Sequence, residues 1–443
     1  MEKQQKVAIA AIGSWGDVYP FILMGRDLQK HGISVTIGAS ARYENEIKKY
    51  GLGYHEIIGD LEWSISNTKE GKDIFRNPSL FKMSAIKNFM KPLTEDWFKS
   101  IHSLSKSTNL LIITNTSLLA GFSAIESSKN LRSILINLQP STPSRYYAPP
   151  ALSGASWSWF NWINIIKWKA VYSGVWSMWR NEINELRRIE MNLSPVTLGY
   201  LDHINSIANK PSLTLTAYSE YLFDRPPDWP EKEHIIGPIM SEDDQKYLPT
   251  IQVEQFLAKG SAPIYIGIGS MMNCMFDAKQ QRNLVTIWID SINYLNKRAI
   301  INLAGFEGID EFLSSIQPQQ KEKCLFLSQN IPHSWLFPKC IAVVHHGGTG
   351  TMHSGLYYGL PTLILYVGSD QPFNGDLVYR KKLGPAPLAA KKITFSRFAN
   401  ALNVLTREEF VQNANQFAKK MRSEQGLTKA VEYVINELKI NSQ

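Results

Sequence analysis

Val7-Ala8-Ile9-Ala10-Ala11-Ile12 is an unbroken apolar run that ends directly on Gly13-Ser14-Trp15-Gly16-Asp17. A strand apolar at every position must be covered on both faces, which is the condition of a parallel strand inside a sheet flanked by helices. Phe21, Met24 and Leu28 follow at helical spacing up to a stop at His31-Gly32, and Ile33 to Gly38 reads as a second strand. Strand, glycine loop, helix and strand are the opening of a doubly wound sheet. Leu110 to Thr114 and Ser133 to Leu138 are its next strand candidates.

A second strand-and-helix series starts at Pro263 to Ser270. It continues through Arg298 to Leu303, Cys324 to Leu327, Ile341 to His345 and Thr362 to Tyr366. Between the two series, Ile236-Gly237-Pro238-Ile239 and the polar stretch Ser241 to Tyr247 punctuate the chain as a linker. The expected organisation is therefore α/β. A Rossmann-like domain spans 1–236, a linker 237–262 and a second Rossmann-like domain 263–420. A terminal segment over 421–443, part of a helical pattern from Phe410 to Leu438, packs back on the first domain. Ligands belong between the two domains, at the carboxyl ends of the strands.

The 443 residues, 44% of them hydrophobic and 19% charged, suit two folded domains with cores of their own. The net charge of +8 gathers in pairs such as Lys381-Lys382, Lys391-Lys392 and Lys419-Lys420. A solvated basic surface explains it, as does a nucleotide diphosphate or an acidic membrane; no nucleic-acid motif accompanies it, so no nucleic-acid partner is expected. Cys274, Cys324 and Cys340 lack both even number and CxxC spacing, so they read as buried thiols of a reducing compartment. The N-terminus carries no long apolar core of a secretory signal, and no apolar run approaches the roughly 18 residues of a bilayer span. The expected location is cytoplasmic, with membrane contact only at the periphery.

The most informative stretch is Val343-Val344-His345-His346-Gly347-Gly348-Thr349-Gly350-Thr351. It sets glycines and hydroxyls between a strand and the start of a helix, where free N–H groups and the helix dipole attract anions. A tight turn would also use glycine here. The dinucleotide pattern GxGxxG and the P-loop pattern are absent, which disfavours nicotinamide chemistry and ATP hydrolysis. On its own, Asp17 reads either as an N-cap for a helix beginning near Val18 or Tyr19 or as a carboxylate able to take a proton from an attacking hydroxyl.

GSWGDVYPFILMG, IYIGIGSM, NIPHSWLF, HHGGTGTMHSGLYYGLPTLI, DQPFNG and LGPAPL occur in this order along nearly the whole chain. Together they resemble the family 1 glycosyltransferases of the GT-B fold, and within them the sterol 3-β-glucosyltransferases. The resemblance implies two facing Rossmann-like domains with parallel sheets and an interdomain cleft. It implies inverting, metal-independent transfer of a hexose, glucose first, from a UDP-sugar to the hydroxyl of a lipophilic acceptor, a sterol first. Asp17 then serves as general base, with Gly13, Ser14 and Gly16 forming the loop near phosphate and acceptor. Ser270 matches a serine near the donor phosphates; His345, Gly348, Thr349, Gly350 and Thr351 match the diphosphate cradle. Ile331 and His333 match the segment against the uracil, and Asp370 and Gln371 the pair that bonds the sugar hydroxyls. The UDP-sugar is a co-substrate and no cofactor is implied. No His-carboxylate cluster at metal spacing and no DxD motif appears.

On the acceptor side, Trp157, Trp159, Trp162, Trp168, Trp176 and Trp179 crowd one segment, interspersed with Lys167, Lys169 and Arg180. Three readings stay open: a core helix, a greasy acceptor pocket that includes Trp15, Trp157, Trp159 and Trp162, or an interfacial membrane anchor. Two departures touch the site. Trp15 stands where sterol glucosyltransferases usually carry arginine, and Gly368-Ser369-Asp370-Gln371 is one residue longer than the usual Gly-Asp-Gln. Rival functions are transfer to a polyketide, terpenoid or other small aglycone, epimerisation of the nucleotide sugar, and non-catalytic lipid binding on the same fold.

Overall fold

The computed structural model describes residues 5–76, 83–152, 161–197, 199, 211–242, 247–269 and 275–439. Two all-parallel sheets organise the chain. The first holds β1 (Lys6–Ala10), β2 (Ser34–Ala39), β3 (Gly53–Glu56), β4 (Leu110–Ile113), β5 (Arg132–Asn137), β6 (Leu213–Thr216) and β7 (Glu233–Ile235), in the order β3-β2-β1-β4-β5-β6-β7. The second holds β8 (Ile264–Gly267), β9 (Ala299–Asn302), β10 (Cys324–Leu327), β11 (Ala342–His345), β12 (Thr362–Tyr366) and β13 (Leu388–Ala389), in the order β10-β9-β8-β11-β12-β13. Strand order reverses between β1 and β4 and again between β8 and β11. Loops leaving such a pair diverge and open a crevice at the carboxyl ends.

Central strands follow from composition. Every residue of β4, Leu-Leu-Ile-Ile, is buried, because helices cover both faces. Alternate residues of β1 serve opposite faces: Val7 and Ile9 join one core cluster, Ala8 and Ala10 another. β3, β6, β7 and β13 carried no apolar run and went unread in the sequence; they are short, and β3 and β13 close sheet edges.

A third cluster ties the domains together. Tyr147, Trp168, Tyr218, Leu222, Phe223 and Trp229 of the first domain pack with Met352, Leu356, Ile364, Phe373 and Leu377 of the second. The expected closing helix is two helices, Glu408–Ser423 and Gly426–Lys439, broken at Gln425, whose φ is +51°. The first packs on the second domain through Phe417 and Met421; the second joins the first domain's core through Leu427, Val431, Val434 and Leu438. The stretch expected as linker carries a helix, Ile251–Ala258, with Val253 in the second domain's core.

The tryptophan-rich segment forms one long helix, Asn161–Met191. Trp168, Trp176 and Trp179 are buried in core clusters, so for them the core reading holds. Trp162, 62% exposed, lies with exposed Ile166 on the outer face. Trp157 and Trp159 lie outside the described residues.

Candidate functional site

At the end of β1 the chain turns on Gly13 and enters the helix Trp15–Lys30, with Ser14 as N-cap. Asp17 is therefore the third helical residue, not the cap. Its Oδ2 accepts both the Ser14 N–H, at 2.8 Å, and the Ser14 hydroxyl, at 2.9 Å. Gly13 has φ +143°, and a β-carbon there would collide with that same Oδ2. The glycine thus gives the carboxylate its seat. It also means that Gly13, Ser14 and Gly16, expected beside a phosphate, form a loop already closed by its own carboxylate: both Ser14 donors are taken. Burial pushes the Asp17 carboxyl above the usual aspartate range; the Ser14 bonds oppose this, and the negative charge of Asp370 adds to it.

The second domain repeats the device with a different outcome. β11 ends on His345, and the helix Thr349–Tyr357 begins after an N-cap glycine, Gly348, that supplies no side-chain cap. Its first turn holds no acidic residue, so the N–H groups of Thr349, Gly350 and Thr351 have neither an intrahelical acceptor nor a carboxylate of their own. Gly347 takes φ +95° with Ile364 and Gln371 against it, a position closed to any β-carbon.

His345 is fully buried; its Nδ1 accepts the Gly347 N–H at 3.0 Å, and its Nε2 has no partner. Its neighbour His346, which the reading of the motif passed over, is the half-open one. Its ring lies against Gly348 and Gly269, at the β8–β11 crevice, with Nδ1 unpartnered. Burial lowers both imidazoles, His346 to about 4, so both are neutral donors near pH 7.

Asp370 and Gln371 sit beside this cradle. The one-residue extension of their loop is absorbed at Ser369, which adopts φ +58°. Gln371 Oε1 accepts the N–H groups of Val367, at 2.7 Å, and Gly368, at 3.2 Å. Its carbonyl end therefore shapes the loop and leaves only the amide nitrogen for a ligand. Asp370 Oδ2 accepts from Asn374 Nδ2 at 3.2 Å and from the Thr349 hydroxyl at 3.5 Å. Burial raises its carboxyl as well, against these bonds.

The residues expected against the uracil divide. His333 is half-buried and stacks on Phe337 at 4.2 Å. Ile331 is packed in the core with Tyr265 and Phe337, so its side chain has no free face for a base. Ser270 lies outside the described residues.

Around Asp17 the first domain presents aromatic surface. Trp15, 41% exposed, stacks on Tyr19 at 5.0 Å and leans on Tyr43 at 5.8 Å. The Arg42 guanidinium lies 4.8 Å over the Tyr43 ring, tied to Asp60 at 2.8 Å and Glu62 at 2.7 Å. Beyond it, the helices Leu61–Asn67 and Lys69–Arg76 lean across to the second domain. Ile65 enters that domain's core, and Lys72 pairs with Glu307 at 2.9 Å. Tyr19 and Tyr43 were not singled out in the sequence, because aromatic residues at helix starts carry no signal of their own. Trp162 lies on the exposed face of its own helix. Among the described residues no three His, Cys, Asp or Glu side chains cluster as a metal site, and no helix is long and apolar enough to cross a membrane.

The arrangement combines a carboxylate on one domain with an acid-free helix N-terminus on the other. Residues 7–136 match the glycosyltransferase family 28 N-terminal domain, and residues 320–436 the C-terminal domain described as erythromycin biosynthesis protein CIII-like. A sterol 3-beta-glucosyltransferase of Arabidopsis thaliana is 28% identical over 96% of this chain and 67% of its own. One from Candida albicans is 26% identical over 98% of this chain and 28% of its own. The chain thus spans about two thirds of the plant relatives' length and far less of the fungal one. Among solved structures, the calicheamicin glycosyltransferase CalG4 superposes with a TM-score of 0.69 over the whole of both chains at 13% identity. The kitacinnamycin glycosyltransferase gives 0.65 over 98% of this chain and the whole of its own, also at 13%. The chain is a glycosyltransferase of the GT-B fold, built from a family 28 N-terminal domain and an erythromycin-CIII-like C-terminal domain.

Proposed function

We propose that the chain transfers glucose from UDP-glucose to the hydroxyl of a lipophilic acceptor of the sterol class, with inversion and without a metal. The observation that carries this reading is the contrast between the carboxylate-closed loop at Asp17 and the acid-free helix N-terminus at Gly348 to Thr351. As the acceptor oxygen attacks the anomeric carbon, Asp17 takes its proton. The bond from that carbon to the β-phosphate oxygen breaks, and its electron pair leaves with UDP. The growing negative charge is met by the first-turn N–H groups, the Thr351 hydroxyl and the neutral His346 ring. A raised carboxyl is a stronger base when ionised, which suits Asp17 to this step. One displacement inverts the anomeric centre.

The relatives named as sterol 3-beta-glucosyltransferases support the donor and acceptor classes. A sterol is collected from a bilayer surface, so a cytoplasmic, peripheral location belongs to the same reading. Trp15, aromatic where the sterol enzymes usually have arginine, favours a second reading in which the acceptor is a flat polyketide or terpenoid aglycone. Product mass spectrometry after incubation with UDP-glucose and a panel of sterols and other aglycones tests both. A sterol hexoside of inverted configuration is expected. Products from polyketides alone would shift the assignment to the second reading, and an altered nucleotide sugar without any acceptor would point to epimerisation. No product at all would leave the lipid-binding alternative.

A further inference from the structure

We propose that Tyr218 is a positioning residue: its hydroxyl, supplied by the first domain, orients the Asn374 amide of the second and through it the carboxylate of Asp370. The inference rests on the donor-sugar role proposed for Asp370. Tyr218 and Asn374 are both buried, at 0% and 1% exposure. Tyr218 Oη donates to Asn374 Oδ1 at 2.8 Å. That contact leaves the amide nitrogen to donate to the Gly347 carbonyl at 2.8 Å, Asp370 Oδ2 at 3.2 Å and Thr349 Oγ1 at 3.4 Å. A flipped amide would set its oxygen against a carbonyl and a carboxylate, so the network admits one orientation.

Tyr218 is itself held where the domains meet. Its carbonyl accepts the Gly237 N–H at 3.1 Å, its ring meets His353 edge-on at 4.6 Å, and the next residue's N–H reaches His353 Nε2 at 3.4 Å. Burial lowers His353 to about 3, so it stays neutral and able to accept. A single phenol thus connects the linker crossing to the Gly347 turn and the sugar-side carboxylate.

Removing the hydroxyl leaves Asn374 Oδ1 buried without a donor, so the amide is anchored on its nitrogen side alone. In Tyr218→Phe, affinity for UDP by titration calorimetry is expected to stay within about twofold, while affinity for UDP-glucose falls about tenfold. The donor KM should rise with the acceptor KM unchanged. Asn374→Asp keeps the bond from Tyr218 and the side-chain volume but places a second carboxyl beside Asp370, so it should lose more UDP-glucose affinity than Tyr218→Phe does. Wild-type UDP-glucose binding in both variants overturns the inference while leaving the proposed function intact. An equal loss of UDP and UDP-glucose also overturns it, because the hydroxyl would then serve general packing. If the wild-type protein binds UDP-glucose no better than UDP, the sugar role of Asp370 fails first and this inference with it.

Discussion

Two strand–glycine–helix junctions meet across the cleft, and they differ in who satisfies the helix. At Ser14 to Asp17 the third helical residue is an aspartate that folds back onto the N-cap, so the first domain's loop is closed by its own charge. At Gly348 to Thr351 the cap is a glycine and the first turn is free of acid, so the corresponding N–H groups have no carboxylate of their own helix. One local device yields a carboxylate-closed loop in one domain and an acid-free helix N-terminus in the other, which the proposed function reads as base and phosphate cradle. Proximity then couples them: Asp370, beside the cradle, pushes the Asp17 carboxyl further up.

The largest expected effect breaks the closed loop at its charge. Asp17→Ala should lower kcat/KM by about a thousandfold, with UDP-glucose binding within about twofold of wild type; transfer at the wild-type rate would remove the base assignment. Because burial outweighs the Ser14 bonds, the ionised Asp17 carboxylate costs stability above its folded pKa. The isosteric Asp17→Asn should therefore melt no lower than wild type at pH 7, read by calorimetry.

Two glycine replacements sharpen the contrast. Gly13→Ala drives the carboxylate from its seat and should cut kcat about a hundredfold while sparing donor affinity. Gly347→Ala strains the cradle and should weaken UDP binding about tenfold while leaving the pH profile of the surviving activity unchanged. If both variants lose donor affinity alike, the two loops do not differ in kind.

A smaller effect lies in the acid limb of kcat/KM, which reports the base. Ser14→Ala removes a bond that favours the ionised carboxylate, so the limb should move to higher pH. Asp370→Asn removes a like charge, so it should move to lower pH. The smallest is a null: a chelator should leave the rate unchanged, and a rate that collapses and returns with a divalent cation would replace the dipole-based account of the leaving charge.

The central strands and both glycine junctions were legible as sequence, because a strand covered on both faces must be apolar throughout and must break where the backbone needs glycine. β1, β4, β8, β11 and β12 were all read from their apolar runs, whereas β3, β6, β7 and β13 were not. Short strands with polar residues, several of them at or next to a sheet edge, leave no continuous apolar signature. The pairing of His345 with His346 shows the same limit inside a motif. Both imidazoles were in view, but only the fold sets His345 in the core and His346 beside Gly269, in the loop that follows β8. The tryptophan segment announced itself by composition, and only helical packing divided it into buried Trp168, Trp176 and Trp179 and exposed Trp162. Local spacing thus carried the fold class, the two junctions and the residue types of the chemistry. The closure of the first loop by Asp17 is a local Ser-x-x-Asp capping box, carried by spacing but not recognised from it. The domain-spanning bond from Tyr218 to Asn374, by contrast, joins residues distant in sequence, and the break at Gln425 is a matter of backbone geometry; spacing along a chain does not encode these two.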